Sequence, residues 1–305
     1  MSNATTINDH NNQEEASMTV ERTSEINAHV GTPTADDERH PALPFLKWAG
    51  GKRKLLPKLQ GLRPKYFGNY HEPFLGGGAH YFSLRSSGHD GRCFLHDLNQ
   101  ELVQTYSAVQ QSPRLVLDGL YRHAACHCES YFHALRDMDC TGMLDHEIAA
   151  RMIYLNKASN NGLYRVNRKG KFNSAWGKHD RSNIDEVVLF RASSALQSAI
   201  IRQGDFSNVL NDAKAGDFAF MDPPYPHRFN QYTALGFGNS DQHRLHSVCV
   251  ELARNNVRFI QTNLDCSFIR DLYKDFEIVP VEARWSISCA VKGRGPVGEV
   301  IVMNY

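Results

Sequence analysis

A short loop with the sequence Asp222-Pro223-Pro224-Tyr225 is the strongest chemical signal in the chain, and it follows the apolar residues 218–221. In an open α/β sheet, ligands bind at the carboxyl ends of the strands, so this loop lies where chemistry is expected. Two consecutive prolines fix φ and remove two N–H donors, which leaves a stiff turn with directed carbonyl groups. An aspartate carboxylate beside a proline carbonyl can then accept both hydrogens of an exocyclic amino group.

Such a pair of acceptors suits the activation of an amino group on an aromatic ring. The lone pair of adenine N6, for example, is delocalised into the ring and is a poor nucleophile. Two oriented acceptors favour a pyramidal nitrogen and stabilise the positive charge that develops during attack. Tyr225 offers a ring on which a base can stack, an interaction worth roughly 1–3 kcal/mol. Because the amino group cannot be reached inside a duplex, the base must first be flipped out. An ordinary proline-rich turn is the alternative interpretation.

A glycine-rich turn within residues 72–79 is the second signal, and Asp97 follows it about 20 residues later. Glycines between a strand and a helix let a cofactor approach the backbone, and an acid at the end of the next strand can bind ribose hydroxyls. NAD or ATP could use the same features, and a tight structural turn would also explain the glycines. The turn is not a full dinucleotide fingerprint, and residues 50–53 lack the Ser or Thr of a phosphate-binding loop.

The elements that must position these loops alternate between short apolar strands and helical stretches. Strands are expected at residues 70–73, 92–96, 200–203, 218–221, 258–262 and 297–303. Helices are expected at residues 100–111, with Asn99 as the cap, and at about 241–255, with Ser240 as the cap. This pattern predicts an α/β fold with a mostly parallel sheet covered by helices.

The alternation stops between about residues 105 and 200, which predicts an inserted, mainly helical module. Residues 115–125, 131–137 and 145–155 look helical, and residues 160–181 suit a hairpin or an ordered loop. We therefore divide the chain into a disordered acidic tail (1–42), a first part of the main domain (43–104), the insert (105–189) and a second part (190–305).

Charge is distributed unevenly although the net charge is +1. Residues 1–40 carry eight acidic and two basic side chains, which leaves +7 on the remainder. Residues 151–181 carry eight basic side chains and one acidic one. This cluster suits a polyanion such as nucleic acid, and by charge alone an ordinary solvated surface is equally expected.

Several classes of protein are disfavoured by composition. No run approaches the ~20 apolar residues of a membrane span, and the N-terminus lacks the apolar core of a secretory signal. The seven scattered cysteines are most simply reduced thiols in the cytoplasm. A His/Cys cluster in the insert does not have zinc-site spacing, so we expect packed or exposed helix residues and no metal. Its members are His123, Cys126, His127, Cys128, His133 and Cys140.

Residues 45–52, with the sequence Phe-Leu-Lys-Trp-Ala-Gly-Gly-Lys, mean little by themselves. Together with the glycine turn and the Asp222 loop, they resemble the Dam-type (D12 class) family of DNA adenine-N6 methyltransferases. In that family these segments occur in the same order, with an inserted recognition domain before the catalytic loop. Residues 155–157, 161–167, 170–173 and 286–289 also match, and the resemblance covers residues 44–305.

The resemblance implies a Rossmann-like methyltransferase sheet with an inserted, mainly helical DNA-recognition domain. It implies catalysis by the Asp222–Tyr225 loop, that is Asp222, Pro223, Pro224 and Tyr225. It also implies that S-adenosyl-L-methionine is the cofactor. The cofactor contacts would be Trp48, Lys52, Phe74, Gly76, Gly78, Asp97 and Asp222.

Double-stranded DNA is the partner that the resemblance implies, bound through the hairpin after residue 157. The DNA contacts would be Lys157, Asn160, Asn161, Arg165 and Lys178. Arg165 matches the guanine-reading arginine of the family, a role that suits bidentate pairing with O6 and N7. Lys157 and Lys178 would contact phosphates and position the duplex.

Two departures from the family pattern fall in this hairpin. Asn160 stands where an aromatic wedge is usual, and residues 174–176 read Ser-Ala-Trp where Val-Pro-Phe is common. A GATC target is therefore a hypothesis. Cytosine-N4 or RNA adenine-N6 methylation, and a non-catalytic DNA-binding role, are the alternatives. We expect a cytoplasmic protein, at the bacterial nucleoid or in the host cytoplasm of a phage, with no membrane and no obligate protein partner.

Overall fold

The computed structural model describes residues 41–48, 52–167, 171–180, 182–225, 237–284 and 296–305. The predicted acidic tail, apart from residues 41 and 42, lies outside the described residues. The same holds for residues 286–289 of the family resemblance and for the tip of the hairpin at residues 168–170.

The described chain forms a seven-stranded sheet. Its strands are β1 Tyr70–Glu72, β2 Cys93–Asp97, β3 Ala199–Gln203, β4 Phe218–Met221, β5 Arg258–Leu264, β6 Glu277–Arg284 and β7 Pro296–Met303. Their order across the sheet is β3-β2-β1-β4-β5-β7-β6. The first five pair in parallel, whereas β7 runs antiparallel to both β5 and β6. The predicted mostly parallel sheet is therefore confirmed.

Strand β6 was not predicted, and its position explains why. It forms an edge of the sheet, and it contains Pro280 and several charged residues. Proline and charge are tolerated at an edge because one side of the strand has no partner, and they hide the alternating apolar pattern that identifies a strand.

Helices flank the strands and fill the connection between β2 and β3. They are α1 Leu56–Leu62, α2 Ala79–Ser86, α3 Gln100–Gln111, α4 Pro113–Ala125, α5 Glu129–Asp137, α6 Asp145–Ala158, α7 Glu186–Leu196, α8 Val209–Asp212, α9 Asn239–Arg254 and α10 Ser267–Leu272. As predicted, Asn99 caps α3, since its Oδ1 accepts a hydrogen bond of 3.1 Å from the Leu102 amide. The predicted Ser240 cap is wrong. Helix α9 begins after Gly238, whose amide donates to the Asp241 carboxylate at 3.0 Å.

Buried residues cover both faces of the sheet. On one face Tyr70, Phe218 and Phe220 pack with residues of α2, α3 and α6, and on the other Val209 and Phe259 pack with α9. The first of these cores continues into the helices of the predicted insert. Whether that insert is a separate domain stays a prediction.

Arg151 joins helix α6 to its neighbours. Its buried guanidinium donates to the carbonyl oxygens of Leu135 and Arg136 and pairs with Glu101 of α3 at 2.8 Å. These bonds satisfy a charge that would be costly to bury without partners. The helices that lead into the basic segment are thus held against the sheet domain.

The segment after α6 returns on itself in antiparallel pairing. The Asn173 amide donates to the Arg165 carbonyl at 2.7 Å, and the Asn167 amide donates to the Lys171 carbonyl at 2.9 Å. Nearer the helix, the Asn160 amide donates to the Ala175 carbonyl at 2.9 Å. The described residues therefore form a hairpin, one of the two structures predicted for residues 160–181.

Two histidines of the His/Cys cluster pack against tyrosines of the insert, whereas Cys126 and Cys128 are exposed. His123 Nδ1 bonds to the Tyr131 hydroxyl at 2.7 Å, and His127 Nδ1 bonds to the Tyr154 hydroxyl at 2.9 Å. Within the described ranges, no group of three or more metal-binding side chains is placed to hold an ion.

None of the helices described is both long and apolar enough to cross a bilayer.

Candidate functional site

The predicted catalytic and cofactor segments meet at one edge of the sheet. The Asp222–Tyr225 loop follows β4, the glycine turn follows β1, and Asp97 ends β2. Strands β1 and β4 are neighbours. After β1 the chain adds β2 and β3 on one side of the sheet, and after β4 it adds β5 on the other side. Such a switch point opens a crevice at the carboxyl ends of the strands, where α/β proteins bind ligands.

Two side chains fix the Asp222 carboxylate. Its Oδ1 accepts a hydrogen bond of 2.6 Å from the Thr262 hydroxyl and pairs with Lys52 Nζ at 2.9 Å. Lys52 is 6 % exposed, and its ammonium lies 4.5 Å from the centre of the Tyr225 ring. Burial lowers the pKa of Lys52, but the Asp222 charge and Tyr225 more than offset this and raise that pKa well above its ordinary value. Lys52 and Asp222 therefore form an ion pair in which the lysine is charged and the carboxylate is held in one orientation.

The Pro224 carbonyl is held by a buried amide side chain. Gln242 Nε2 donates to the Pro224 carbonyl at 3.2 Å, and Gln242 Oε1 accepts from Asn263 Nδ2 at 3.0 Å. Both amide side chains are fully buried. Helix α9 and strand β5 thus clamp a loop whose prolines already restrict its torsions.

The glycine turn is shaped by its contact with Trp48 and Asp97. Gly76 has φ 48°, and a Cβ there would lie 2.9 Å from the Trp48 ring. The Asp97 carboxylate accepts the Gly76 amide through Oδ2 and the Asn99 amide through Oδ1, each at 2.9 Å. Burial raises the pKa of Asp97, and these backbone bonds oppose the rise. A side chain at Gly76 would be strained and crowded, so glycine at this position lets Trp48 pack against the turn beside an oriented acid. These residues fit a nucleoside ribose.

The remaining predicted cofactor residues lie around this turn. Gly78 has φ 63°, and a Cβ there would lie 2.8 Å from the Tyr106 hydroxyl. Phe74 stacks on Phe206, with ring centres 5.3 Å apart. Trp48 stacks on Tyr164 of the hairpin, with ring centres 4.8 Å apart.

Asn156 anchors the segment that carries Trp48. Its side chain accepts from the Lys47 amide at 2.9 Å and donates to the Lys47 carbonyl at 2.8 Å and the Gly162 carbonyl at 3.1 Å. A buried amide thereby joins the Trp48 segment to the start of the hairpin. No role is predicted for Asn156 from the sequence, because nothing local marks a contact between residues 109 apart.

Two buried carboxyl groups near Asp222 were also missed. Glu72 accepts a 2.6 Å hydrogen bond from the Tyr70 hydroxyl, and burial raises the pKa of Glu72 to about 8. Glu299, on β7, is 3 % exposed. Both could have been noticed, since each is a charged residue inside a run expected to form a buried strand.

The hairpin presents most of the predicted DNA contacts at the surface. Asn160, Asn161 and Lys178 are exposed, and Arg165 is partly exposed. Lys157, in the last turn of α6, is half-buried, and burial lowers its pKa. The structure places these five residues along α6 and the paired segments that follow it.

Lys178 has an unusual backbone. Its φ is 55°, in the left-handed region that glycine favours, and the neighbouring His179 carbonyl is bonded by His127 Nε2 at 3.0 Å. The His127 ring also lies 4.9 Å from the Trp176 ring. Contacts with the helical segment therefore hold the end of the hairpin in place.

Comparisons with known proteins show what the chain is similar to. The family of D12 class N6 adenine-specific DNA methyltransferases matches residues 48–287. Type II methyltransferase M1.LlaDCHI of Lactococcus lactis subsp. cremoris is 35% identical over 274 residues, which cover 86% of this chain and 95% of that protein. Type II methyltransferase M.MjaIII of Methanocaldococcus jannaschii is 32% identical, covering 86% and 99%. DNA adenine methylase of Serratia marcescens is 28% identical, covering 85% and 97%.

Proposed function

The chain belongs to the D12 class of N6 adenine-specific DNA methyltransferases, and we propose that Asp222-Pro223-Pro224-Tyr225 is its catalytic loop. The protein methylates adenine N6 in DNA with S-adenosylmethionine as the cofactor. The predicted family, Rossmann-like methyltransferase sheet, activity and cofactor are thus confirmed. Family membership also sets aside the cytosine-N4, RNA and non-catalytic alternatives.

The orientation of Asp222 is the observation that carries the proposal for the loop. With Oδ1 bound by Thr262 and Lys52, the carboxylate is held in one direction at the edge of the crevice. It would accept one hydrogen of the adenine amino group, and the Pro223 carbonyl would accept the other. Preorganised acceptors of this kind stabilise the positive charge on nitrogen without having to reorient during the reaction. The base, flipped from the duplex, would stack on Tyr225.

Each proposed cofactor residue has a role that suits its chemistry. Bound S-adenosylmethionine supplies a methyl group on a positively charged sulfur. Asp97 would accept hydrogen bonds from the ribose hydroxyls, and the backbone of the turn that contains Gly76 and Gly78 would lie beside the cofactor. Trp48 and Phe74 would line the site, while Lys52 and Asp222 lie at its junction with the amine pocket. Holding both reactants in line is a large part of the catalysis.

The hairpin is the proposed site of contact with double-stranded DNA. Arg165 would read a guanine, Lys157 and Lys178 would bind phosphates, and Asn160 and Asn161 would lie near the flipped base. The surface exposure of Asn160, Asn161 and Lys178 and the basic charge of this segment support the assignment. GATC is the proposed target, and sequencing of methylated DNA would identify it. We place the protein with its DNA in the cytoplasm.

A methyl-transfer assay tests the loop directly. Asp222→Ala should lower incorporation of tritiated methyl groups into DNA by at least about 100-fold, as removal of a charge-stabilising group does in other enzymes. Asp118→Ala, on the exposed side of α4, is the matched control and should behave as the wild type. Equal incorporation by the Asp222 variant and the wild type would show that the loop is not catalytic.

A further inference from the structure

We propose that Glu299 is a positioning residue for methyl transfer, which shares the Lys52 ammonium with Asp222 and leaves these three side chains with one excess negative charge. The inference rests on the proposed function of the Asp222 loop. It concerns a residue on the last strand, far in sequence from both the loop and Lys52.

Strand pairing brings Glu299 to the loop. On β7, Glu299 lies opposite Leu264 and Ile301 lies opposite Thr262 of β5. Residues opposite each other in an antiparallel pair project from the same face of the sheet, and so do residues two apart in a strand. Glu299 therefore shares a face with Thr262, whose hydroxyl donates to Asp222 at 2.6 Å.

Glu299 is a carboxyl group in a buried position, where a charge is costly. The residue is 3 % exposed, and within the described part of the chain its Oε2 has no hydrogen-bond partner. Its neighbours along β7, Val300 and Ile301, are fully buried apolar residues, so an apolar side chain would suit the strand. A buried, incompletely bonded carboxylate is unfavourable for folding, which suggests that it serves the site instead.

The groups that face Glu299 are those of the catalytic loop. Burial and the Asp222 charge raise the pKa of Glu299, whereas the Lys52 ammonium and the Tyr225 hydroxyl act in the opposite direction. Glu299 in turn helps to raise the pKa of Lys52. Asp222 and Lys52 alone would cancel, since they form an ion pair of 2.9 Å. As a carboxylate, Glu299 would give these three side chains a net negative charge.

That excess charge would act where the reaction needs it. The N6 lone pair forms the new C–N bond while the C–S bond breaks and its electrons stay with sulfur, so the positive charge moves from sulfur to nitrogen. The extra N6 proton then leaves to solvent. Glu299 lies on the amine side of the site, because the cofactor turn and Asp97 follow β1 and β2, whereas β7 lies beyond β5 on the other side of β4. A negative charge on the amine side stabilises the positive charge on nitrogen after transfer more than the positive charge on sulfur before transfer.

Isosteric substitution separates this role from packing. Glu299→Gln should slow single-turnover methylation about 10- to 100-fold, as expected for the loss of one charge in a partly buried site. By calorimetry, the affinity for S-adenosylhomocysteine should change less than about twofold. Affinity should fall more for a cofactor analogue with an ammonium group in place of the methylsulfonium. The unfolding midpoint should not fall. Glu277→Gln, on the exposed end of β6, is the matched control and should leave each quantity unchanged.

Conservative replacement and pH provide the remaining test. Glu299→Asp should recover part of the rate lost in the Gln variant, and the acidic limb of the wild-type rate profile should shift in the Gln variant. Equal losses in the Asp and Gln variants would indicate a packing role and overturn the inference. An unchanged rate in Glu299→Gln, with Asp222→Ala inactive, would overturn it and leave the catalytic loop standing. Activity in Asp222→Ala would instead refute the proposed function itself.

Discussion

The rings of Trp48 and Tyr164 stack with their centres 4.8 Å apart and their planes 20° apart. Trp48 belongs to the segment proposed to contact the cofactor, and Tyr164 directly precedes Arg165 of the hairpin. The Tyr164 hydroxyl also donates to Glu101 at 3.4 Å, and Glu101 pairs with Arg151 at 2.8 Å. One pair of rings thus joins the segment proposed to contact the cofactor to the hairpin proposed to contact DNA.

Tyr164→Ala should weaken the binding of both S-adenosylmethionine and DNA. An aromatic pair contributes about 0.5–1.5 kcal/mol beyond the area it buries, so each affinity should fall by about threefold to tenfold. Tyr164→Phe keeps the stack and should retain most of both affinities. Calorimetry for the cofactor and fluorescence anisotropy for a DNA duplex measure the two effects. Loss of DNA affinity with unchanged cofactor affinity would contradict the link through Trp48.

Thr262→Val should slow methyl transfer about tenfold without changing DNA affinity. Valine has nearly the same shape but cannot donate the 2.6 Å hydrogen bond that orients Asp222, a bond to a charged group worth roughly 1.5–3 kcal/mol. Single-turnover incorporation of tritiated methyl groups measures the rate. Thr141→Val is a matched control, because the exposed Thr141 hydroxyl donates to Asp139 at 2.8 Å far along the chain from the site. A wild-type rate in Thr262→Val would mean that Lys52 suffices to orient Asp222.

Much of the sheet and the position of the loops could be predicted, because they depend on local patterns. The apolar run before Asp222 identifies β4, and Asn99 is placed to cap α3, as the structure confirms. The same reasoning failed at α9. Both Gly238 and Ser240 can precede a helix, and the choice depends on Asp241, whose carboxylate bonds to the Gly238 amide.

The partners that complete the site could not be predicted, because they come from distant parts of the chain. Thr262 lies 40 residues from Asp222 in sequence, and its contact depends on the pairing of β4 with β5. Glu299 reaches the loop through the antiparallel pairing of β7, a register that no local pattern specifies. A polar residue within an apolar strand is the signal that sequence reasoning can use.

Arg165→Ala should relax discrimination at one guanine of the target site. Bidentate pairing of a guanidinium with guanine contributes about 1–3 kcal/mol of discrimination, so the preference for that base should fall by about fivefold or more. Methylation rates on duplexes with each base at every target position measure it. Arg122→Ala, on the exposed surface of α4, should keep the wild-type preference. If the preference at every position survives in Arg165→Ala, another residue reads the guanine.

Lys178→Ala should lower the salt dependence of DNA binding. A lysine that neutralises one phosphate contributes about 0.9 to the slope of log affinity against log salt concentration, and the affinity should fall on all sequences alike. Because Lys178 has φ 55°, Lys178→Gly is a useful second variant that relieves the backbone while removing the charge. Titrations at several salt concentrations measure the slope. The exposed Lys274 serves as the control position, and an unchanged slope in both Lys178 variants would exclude the phosphate contact.

Glu72→Gln should change how the stability of the protein depends on pH. Burial raises the pKa of Glu72 from 4.5 to about 8 in the folded protein. Between these two values the folded state holds a proton that the unfolded chain has released. The free energy of unfolding therefore falls as pH rises through this range, by up to about 1.4 kcal/mol per pH unit. Glutamine has no proton to release, so its variant should lose this part of the slope.

Urea denaturation at pH 5.5, 6.5, 7.5 and 8.5 can separate this effect from those of other groups. The raised pKa values of Asp97 and Glu299 act in the same direction, but they remain in the Glu72→Gln variant and cancel in the comparison. The difference in unfolding free energy between variant and wild type should therefore move in favour of the variant as pH rises to about 8. The free energy of unfolding of Glu277→Gln, a change at an exposed position, should follow a curve against pH that is parallel to that of the wild type. Parallel curves for Glu72→Gln and the wild type would mean that Glu72 is already ionised in the folded protein, with the Tyr70 hydrogen bond compensating its burial.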